Sequence, residues 1–224
     1  MPHDSNPHYY LLEQDQRLQL YPKDKKKGGA VFIDLYNLYS GYQREQIGIR
    51  QDIAKAVGCK ADYRPHVLDA TAGLAGDASL LAYLGCKVDL IEQSSVVYRL
   101  LEDAFRHLQS DNPFLTQLRL LPQQNAIDYL LSNRSQYDVI YLDPMFPERQ
   151  KAAKVKKAMQ YLHDIVGVAD EDEELRLWQA ALLSAKKRVV VKRPRLAPFL
   201  AGQKPHFQIG GKTIRFDVYQ IALL

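Results

Sequence analysis

The sequence predicts an α/β architecture: a mostly parallel β-sheet covered by helices on both faces. Three observations carry that prediction. From about residue 64 onward, short apolar runs alternate with segments of helical periodicity. Several of those runs are apolar throughout, as strands buried on two faces are. The first run ends in an acid and passes directly into a loop of small residues, Asp69-Ala-Thr-Ala-Gly73-Leu-Ala-Gly76-Asp77. Open α/β sheets bind ligands at such places, outside the carboxyl ends of their strands.

Residues 1–63 read as an N-terminal extension, with possible RNA contact, and residues 64–224 as the main domain. The first 27 residues are polar and close on the Lys23 to Lys27 cluster ahead of Gly28-Gly29. Residues 30–35 predict a short strand, and residues 44–57 predict a helix stopped by Gly58. In the main domain the first strand is 66–69, followed by a helix over 78–84 that stops at Gly85. The second strand is 87–91. Ser94 then caps a helix reaching about residue 109, with Val97, Leu100, Leu101, Ala104, Phe105 and Leu108 on one face. The third strand is 118–121, with a helix near 126–131 behind it. The fourth strand is 137–142. A helix over 173–185 leads to the fifth strand, 188–191, and 214–221 is the last.

Composition narrows the function classes. The chain has 224 residues, 46% hydrophobic and 25% charged, which are globular values. It has no apolar run of about 18 residues, so no transmembrane helix is expected. Met1-Pro2-His3-Asp4 lacks the basic-then-apolar pattern of a secretory leader. Two cysteines, Cys59 and Cys86, are too few for a disulfide framework, and no Cys/His spacing suits zinc. A reducing cytosol is the expected compartment. Net charge is +4, but residues 170–174 are five consecutive acids. Outside that block 30 basic residues face 21 acidic ones, a balance that suits a polyanionic partner.

Three features carry chemistry. Gly73 and Gly76 permit a tight turn and close approach of a ligand to the backbone. Glu92 ends the second strand, 19 residues after Gly73. A carboxylate there can accept both hydroxyl hydrogens of a ribose. Together they indicate an adenosine-containing cofactor, and they leave a nicotinamide dinucleotide and S-adenosylmethionine both open. Asp143-Pro144-Met145-Phe146-Pro147, at the end of the fourth strand, separates the two. The prolines stiffen the loop. Asp143 and the Pro144 carbonyl can accept the two hydrogens of an exocyclic amine and so localise its lone pair. Phe146 can stack on an extruded base. That logic serves guanine N2, adenine N6 and a protein amide alike.

With these residues in view, the chain resembles the class I S-adenosylmethionine-dependent methyltransferases. Residues 69–74, Glu92, residues 143–147 and residues 189–194 carry the likeness. The strings at 143–147 and 191–194 are more specifically similar to the family of ribosomal RNA small subunit methyltransferase J, whose members methylate guanine N2. The resemblance runs from about Leu18 to the C-terminus, and members of that family carry further residues ahead of position 1. It implies a Rossmann-like, seven-stranded sheet and S-adenosylmethionine as cofactor, with S-adenosylhomocysteine as product and no metal. The implied partner is small-subunit (16S) ribosomal RNA or the 30S particle. The implied cofactor residues are Asp69, Gly73, Gly76, Asp77, Glu92, Gln93, Gln124, Asn125 and Asp143. The catalytic candidates are Asp143, Pro144 and Phe146. Basic residues beside this loop, Arg149, Lys151, Lys154, Lys156 and Lys157, are RNA-contact candidates, as are Lys192 and Arg193 at the end of the fifth strand.

Overall fold

The computed structural model describes residues 6–108, 112–146 and 157–222. It opens with an antiparallel hairpin, β1 (Tyr9–Gln14) and β2 (Arg17–Pro22), turned by Asp15 and Gln16, both at positive φ. The strand expected over 30–35 is reduced to one bridge between Val31 and Leu20. Asp34 ends the extended run by accepting from the Asn37 amide, 2.9 Å, and so capping α1 (Leu35–Arg44). The single helix expected over 44–57 is likewise replaced. The chain breaks after α1, with Gln46 at positive φ, and resumes as α2 (Asp52–Val57), which Gly58 closes in the left-handed conformation.

The main sheet follows the predicted alternation. Its elements are β3 (His66–Asp69), α3 (Gly76–Tyr83), β4 (Lys87–Leu90), α4 (Ser95–Arg106), α5 (Phe114–Gln117), β5 (Leu118–Leu120), α6 (Ala126–Ser132) and β6 (Tyr137–Leu142). After these come α7 (Lys157–Val166), α8 (Glu171–Ser184), β7 (Ala185–Pro194), β8 (Phe207–Gly210) and β9 (Ile214–Gln220). The seven strands lie in the order β5-β4-β3-β6-β7-β9-β8. Those from β5 to β7 are parallel, and β9 runs antiparallel to both β7 and β8. Sequence reading missed the β1–β2 hairpin, α1, α5, α7 and β8.

Two-sided burial explains the continuous apolar runs. Val67, Val88, Val139 and Val190 face one helical layer, and Leu68, Ile140, Val189 and Val191 face the other. The first layer contains α3 and α4. Tyr9, Leu20, Ile33, Leu35, Ile53 and Val57 join it, so the residues before 64 share the core of the sheet. The second layer contains α6 and α8, through Leu130, Leu177 and Ala181. Because β3 has β4 on one side and β6 on the other, the strand order reverses between β3 and β6. A crevice opens there at the carboxyl edge.

Candidate active site

The crevice divides into two clefts that share a wall. The first encloses about 870 Å3, counting its solvent-open mouth. Gly73, Glu92, Gln93, Asn125 and Asp143 line it, with apolar cover from Ile91, Ile127, Leu162 and Val166. The second lies beside it and is lined by Asp69, Gly76, Asp77, Phe146, Met159, Lys192 and Ile214, among others. Thr71, Gly73, Asp143, Pro144, Met145 and Leu162 border both.

Local chemistry builds the first cleft. Gly73 sits at φ +51°, and a Cβ there would stand 3.2 Å from Leu162 Cδ2. A side chain is therefore both strained and crowded at this turn. Glu92 is buried and accepts from the Gly73 amide at 3.0 Å and the Ser94 amide at 2.7 Å. Burial still raises its pKa against those two hydrogen bonds. Each of its oxygens keeps a second lone pair for a hydroxyl hydrogen. Asn125 caps α6, accepting from the Ile127 amide, and its Nδ2 donates to Gln93 Oε1 at 2.9 Å. The two amides are thus held as one rigid edge. Gln124 points elsewhere, donating to the Pro122 carbonyl at 2.9 Å.

Acids crowd the wall between the clefts. Asp69 is almost fully buried, and Thr71 donates to it through its amide at 3.1 Å. Burial pushes its carboxyl up to about 8, with Asp77 and Asp143 adding to the shift. Thr71 Oγ1 in turn accepts from the Asp143 amide at 2.6 Å. Burial also pushes the Asp143 carboxyl up, to about 6, against the pull of Lys192. Lys192 Nζ donates to Asp143 Oδ2 at 3.0 Å and to Asp77 Oδ2 at 2.7 Å. Tyr141 donates its hydroxyl to the same Asp77 oxygen at 2.6 Å.

The structure redistributes several expected roles. Gly76 and Asp77 border the second cleft rather than the first. Lys192, expected as an RNA contact, is spent on two carboxylates and only 23% of its side chain is exposed. Arg193, expected in the same role, is 2% exposed. It donates to Glu174 Oε1 and to the Pro198 carbonyl, both at 3.3 Å, and has no free face for a phosphate. Its guanidinium lies 4.8 Å from the centre of the Phe146 ring, so one face of that ring is already covered. Arg149, Lys151, Lys154 and Lys156 lie outside the described residues. Lys157 is exposed at the start of α7.

Sequence reading missed Thr71 as the hinge between Asp69 and Asp143. It also missed α7, which lends Leu162 to both clefts. The apolar spacing of Met159, Leu162, Ile165 and Val166 was the available signal for that helix.

The residues present suit the S-adenosyl group that the sequence resemblance implies. Glu92 offers acceptors at the ribose position, Gln93 and Asn125 offer a polar edge for adenine, and Ile91 and Ile127 offer apolar cover.

Comparisons agree with this geometry. A family model described as "Putative SAM-dependent methyltransferase" matches residues 1–221. Ribosomal RNA small subunit methyltransferase J of Nitrosococcus oceani is 47% identical over 219 residues, covering 95% of this chain and 84% of that protein. Its counterpart from Aeromonas salmonicida is 47% identical over 222 residues, covering 97% and 88% respectively. A crystal structure of a SAM-dependent methyltransferase from Neisseria gonorrhoeae superposes with a TM-score of 0.75 at 35% identity, covering 98% of this chain and 85% of that one.

Proposed function

The chain belongs to the SAM-dependent methyltransferases, within the family of ribosomal RNA small subunit methyltransferase J, and from that premise we propose that it methylates the exocyclic N2 of a guanine in small-subunit ribosomal RNA. The observation that carries the reading is the shared wall. Asp143, Pro144 and Met145 border both the cleft suited to an adenosyl group and the cleft beside it. A group can pass between two ligands only where their sites meet.

S-adenosylmethionine supplies a methyl carbon already activated by its sulfonium sulfur. The protein's task is therefore mainly placement. Asp143 accepts a hydrogen of the guanine amine and orients its lone pair toward the first cleft. As the N–C bond forms, the C–S bond breaks with its electron pair staying on sulfur. The nitrogen then sheds a proton, which the Asp143 carboxylate passes to water. The uncovered face of Phe146 stacks on the base. The basic run that ends at Lys157 contacts RNA phosphates beside the clefts.

The test is methylation in vitro, with isotopically labelled methyl donor and small-subunit RNA from cells lacking the enzyme. Nuclease digestion and mass analysis should find the label in N2-methylguanosine. Label in N6-methyladenosine, or in protein alone, would overturn the assignment. Running naked RNA and assembled small subunits side by side identifies the form of the substrate.

A further inference from the structure

We propose that Lys192 is a positioning residue for methyl transfer: its ammonium, pinned between Asp77 and Asp143, fixes the Asp143 carboxylate so that Oδ1 is presented to the substrate amine. The proposal rests on the reading of Asp143 as the amine acceptor. It assigns to Lys192 a role different from the phosphate contact its charge alone suggests.

The geometry holds Asp143 at two points. Its amide donates to Thr71 Oγ1 at 2.6 Å, which fixes the backbone. Its Oδ2 accepts from Lys192 Nζ at 3.0 Å, which fixes the side chain. Among the described residues Oδ1 accepts no hydrogen bond, and Asp143 borders both clefts. Lys192 is itself anchored. Its second carboxylate, Asp77, accepts from Nζ at 2.7 Å and from the Tyr141 hydroxyl at 2.6 Å on the same oxygen. The brace thus links three elements, α3, β6 and β7.

Charge gives the brace a second consequence. Asp69 from the end of β3, Asp77 from α3, and Tyr141, Lys192 and Arg193 from β6 and β7 are the titratable groups acting on Asp143. His163 of α7 borders the same cleft. Arg193 is committed to Glu174, so among the described residues Lys192 is the cation in contact with the acids. Remove it, and carboxylates that share a poorly hydrated wall take up protons at higher pH. A protonated Asp143 no longer offers a full acceptor to the amine.

The experiment compares kcat and KM for RNA as a function of pH in the wild type, Lys192→Met and Asp77→Asn. In the wild type, activity should fall on the acid side near pH 6, where Asp143 gains its proton. Lys192→Met should move that limb upward by about one unit or more. At neutral pH its kcat should drop by roughly 10- to 1,000-fold, with KM for RNA nearly unchanged and partial recovery at high pH. Asp77→Asn removes a neighbouring negative charge and should move the limb the other way. S-adenosylhomocysteine titrated into each variant shows whether the first cleft still forms.

An unmoved acid limb in Lys192→Met, with a raised KM for RNA and a reduced salt slope, would overturn the proposal and return Lys192 to the phosphate footprint. A limb that moves upward in both variants would overturn it too. If the wild type itself methylates no ribosomal RNA, the underlying reading fails instead, and the two failures are distinguishable.

Discussion

Within the sheet, Asp89 of β4 is ringed by donors. Arg119 engages it with two nitrogens, Tyr137 donates its hydroxyl at 2.7 Å, and His66 lies 3.5 Å away. Burial pushes its carboxyl up, but these partners outweigh burial and bring it down to about 2. At the carboxyl edge of the same sheet, Asp69, Asp77 and Asp143 share one ammonium, that of Lys192, which touches the last two directly. Burial wins there, and Asp69 and Asp143 are raised to about 8 and about 6. One sheet thus holds two kinds of acid cluster. The satisfied one stabilises the fold, with both Asp89 oxygens already engaged by protein donors. The under-compensated ones cost stability and keep acceptor capacity, the pattern expected where chemistry is done.

The comparison is broken most directly at Asp143. Asp143→Asn keeps the shape of the side chain but exchanges an anionic acceptor for a neutral amide. The methylation rate should fall by roughly 10- to 10,000-fold, with the urea midpoint unchanged or higher. Radiometric methyl transfer and equilibrium unfolding read the two quantities separately. Near-normal turnover would strip Asp143 of its role.

The converse substitution is Asp89→Ala. It leaves Tyr137 with only Tyr129 as hydroxyl partner, at 2.7 Å, and frees Arg119 at the sheet surface. Loss of a buried, multiply bonded carboxylate should cost about 2–4 kcal/mol of stability. Turnover per folded molecule should stay close to that of the wild type. A large loss of turnover at full folding would mean that the Asp89 cluster is not merely structural.

Asp69 sharpens the contrast through pH. Its folded pKa of about 8 lies above the ordinary aspartate value of 3.8. The native state therefore holds a proton that the unfolded chain has released, and stability falls as pH rises between those values. Asp143 contributes a fall of the same sign that ends near pH 6. The interval above that, up to about pH 8, therefore isolates Asp69. Asp69→Asn keeps an Oδ1 acceptor for the Thr71 amide and should abolish that slope. At the upper end of the interval it should be the more stable protein by about 1–2 kcal/mol. An unchanged slope in urea titrations would show that Asp69 is ionised at neutral pH.

The same two clusters show what the sequence makes legible. β3, β4, β5, β6, β7 and β9 were readable because burial in the sheet writes apolar stretches such as residues 189–191. β8 was not, because an edge strand paired only with β9 leaves Phe207, Gln208 and Gly210 exposed, with no apolar run. The β1–β2 turn uses Asp15 and Gln16 where a glycine would have announced it. At the site, Gly73, Glu92, Gln93, Asn125 and Asp143 could be picked out because each follows a strand at the ligand-binding edge. Lys192 and Arg193 read as phosphate contacts in the sequence because charge is visible there and carboxylate partners are not. Asp77 lies 115 residues from Lys192, and Glu174 precedes Arg193 by 19. Only folding brings either pair together.

The smallest expected effect concerns the basic run that ends at Lys157. Lys157 opens α7, the helix whose Leu162 borders both clefts. Neutralising Lys154 and Lys157 together should weaken RNA binding several-fold in low salt. For a single strand, each lysine–phosphate pair contributes about 0.7 to the slope of log affinity against log salt. Abolishing two such pairs should therefore lower that slope by about 1.4. Filter binding or anisotropy from about 50 to 200 mM salt measures it. With RNA saturating, kcat should be unaffected, unlike the steep decline at Asp143. A slope equal to that of the wild type would remove these lysines from the footprint and place the phosphate-binding groups elsewhere on the surface.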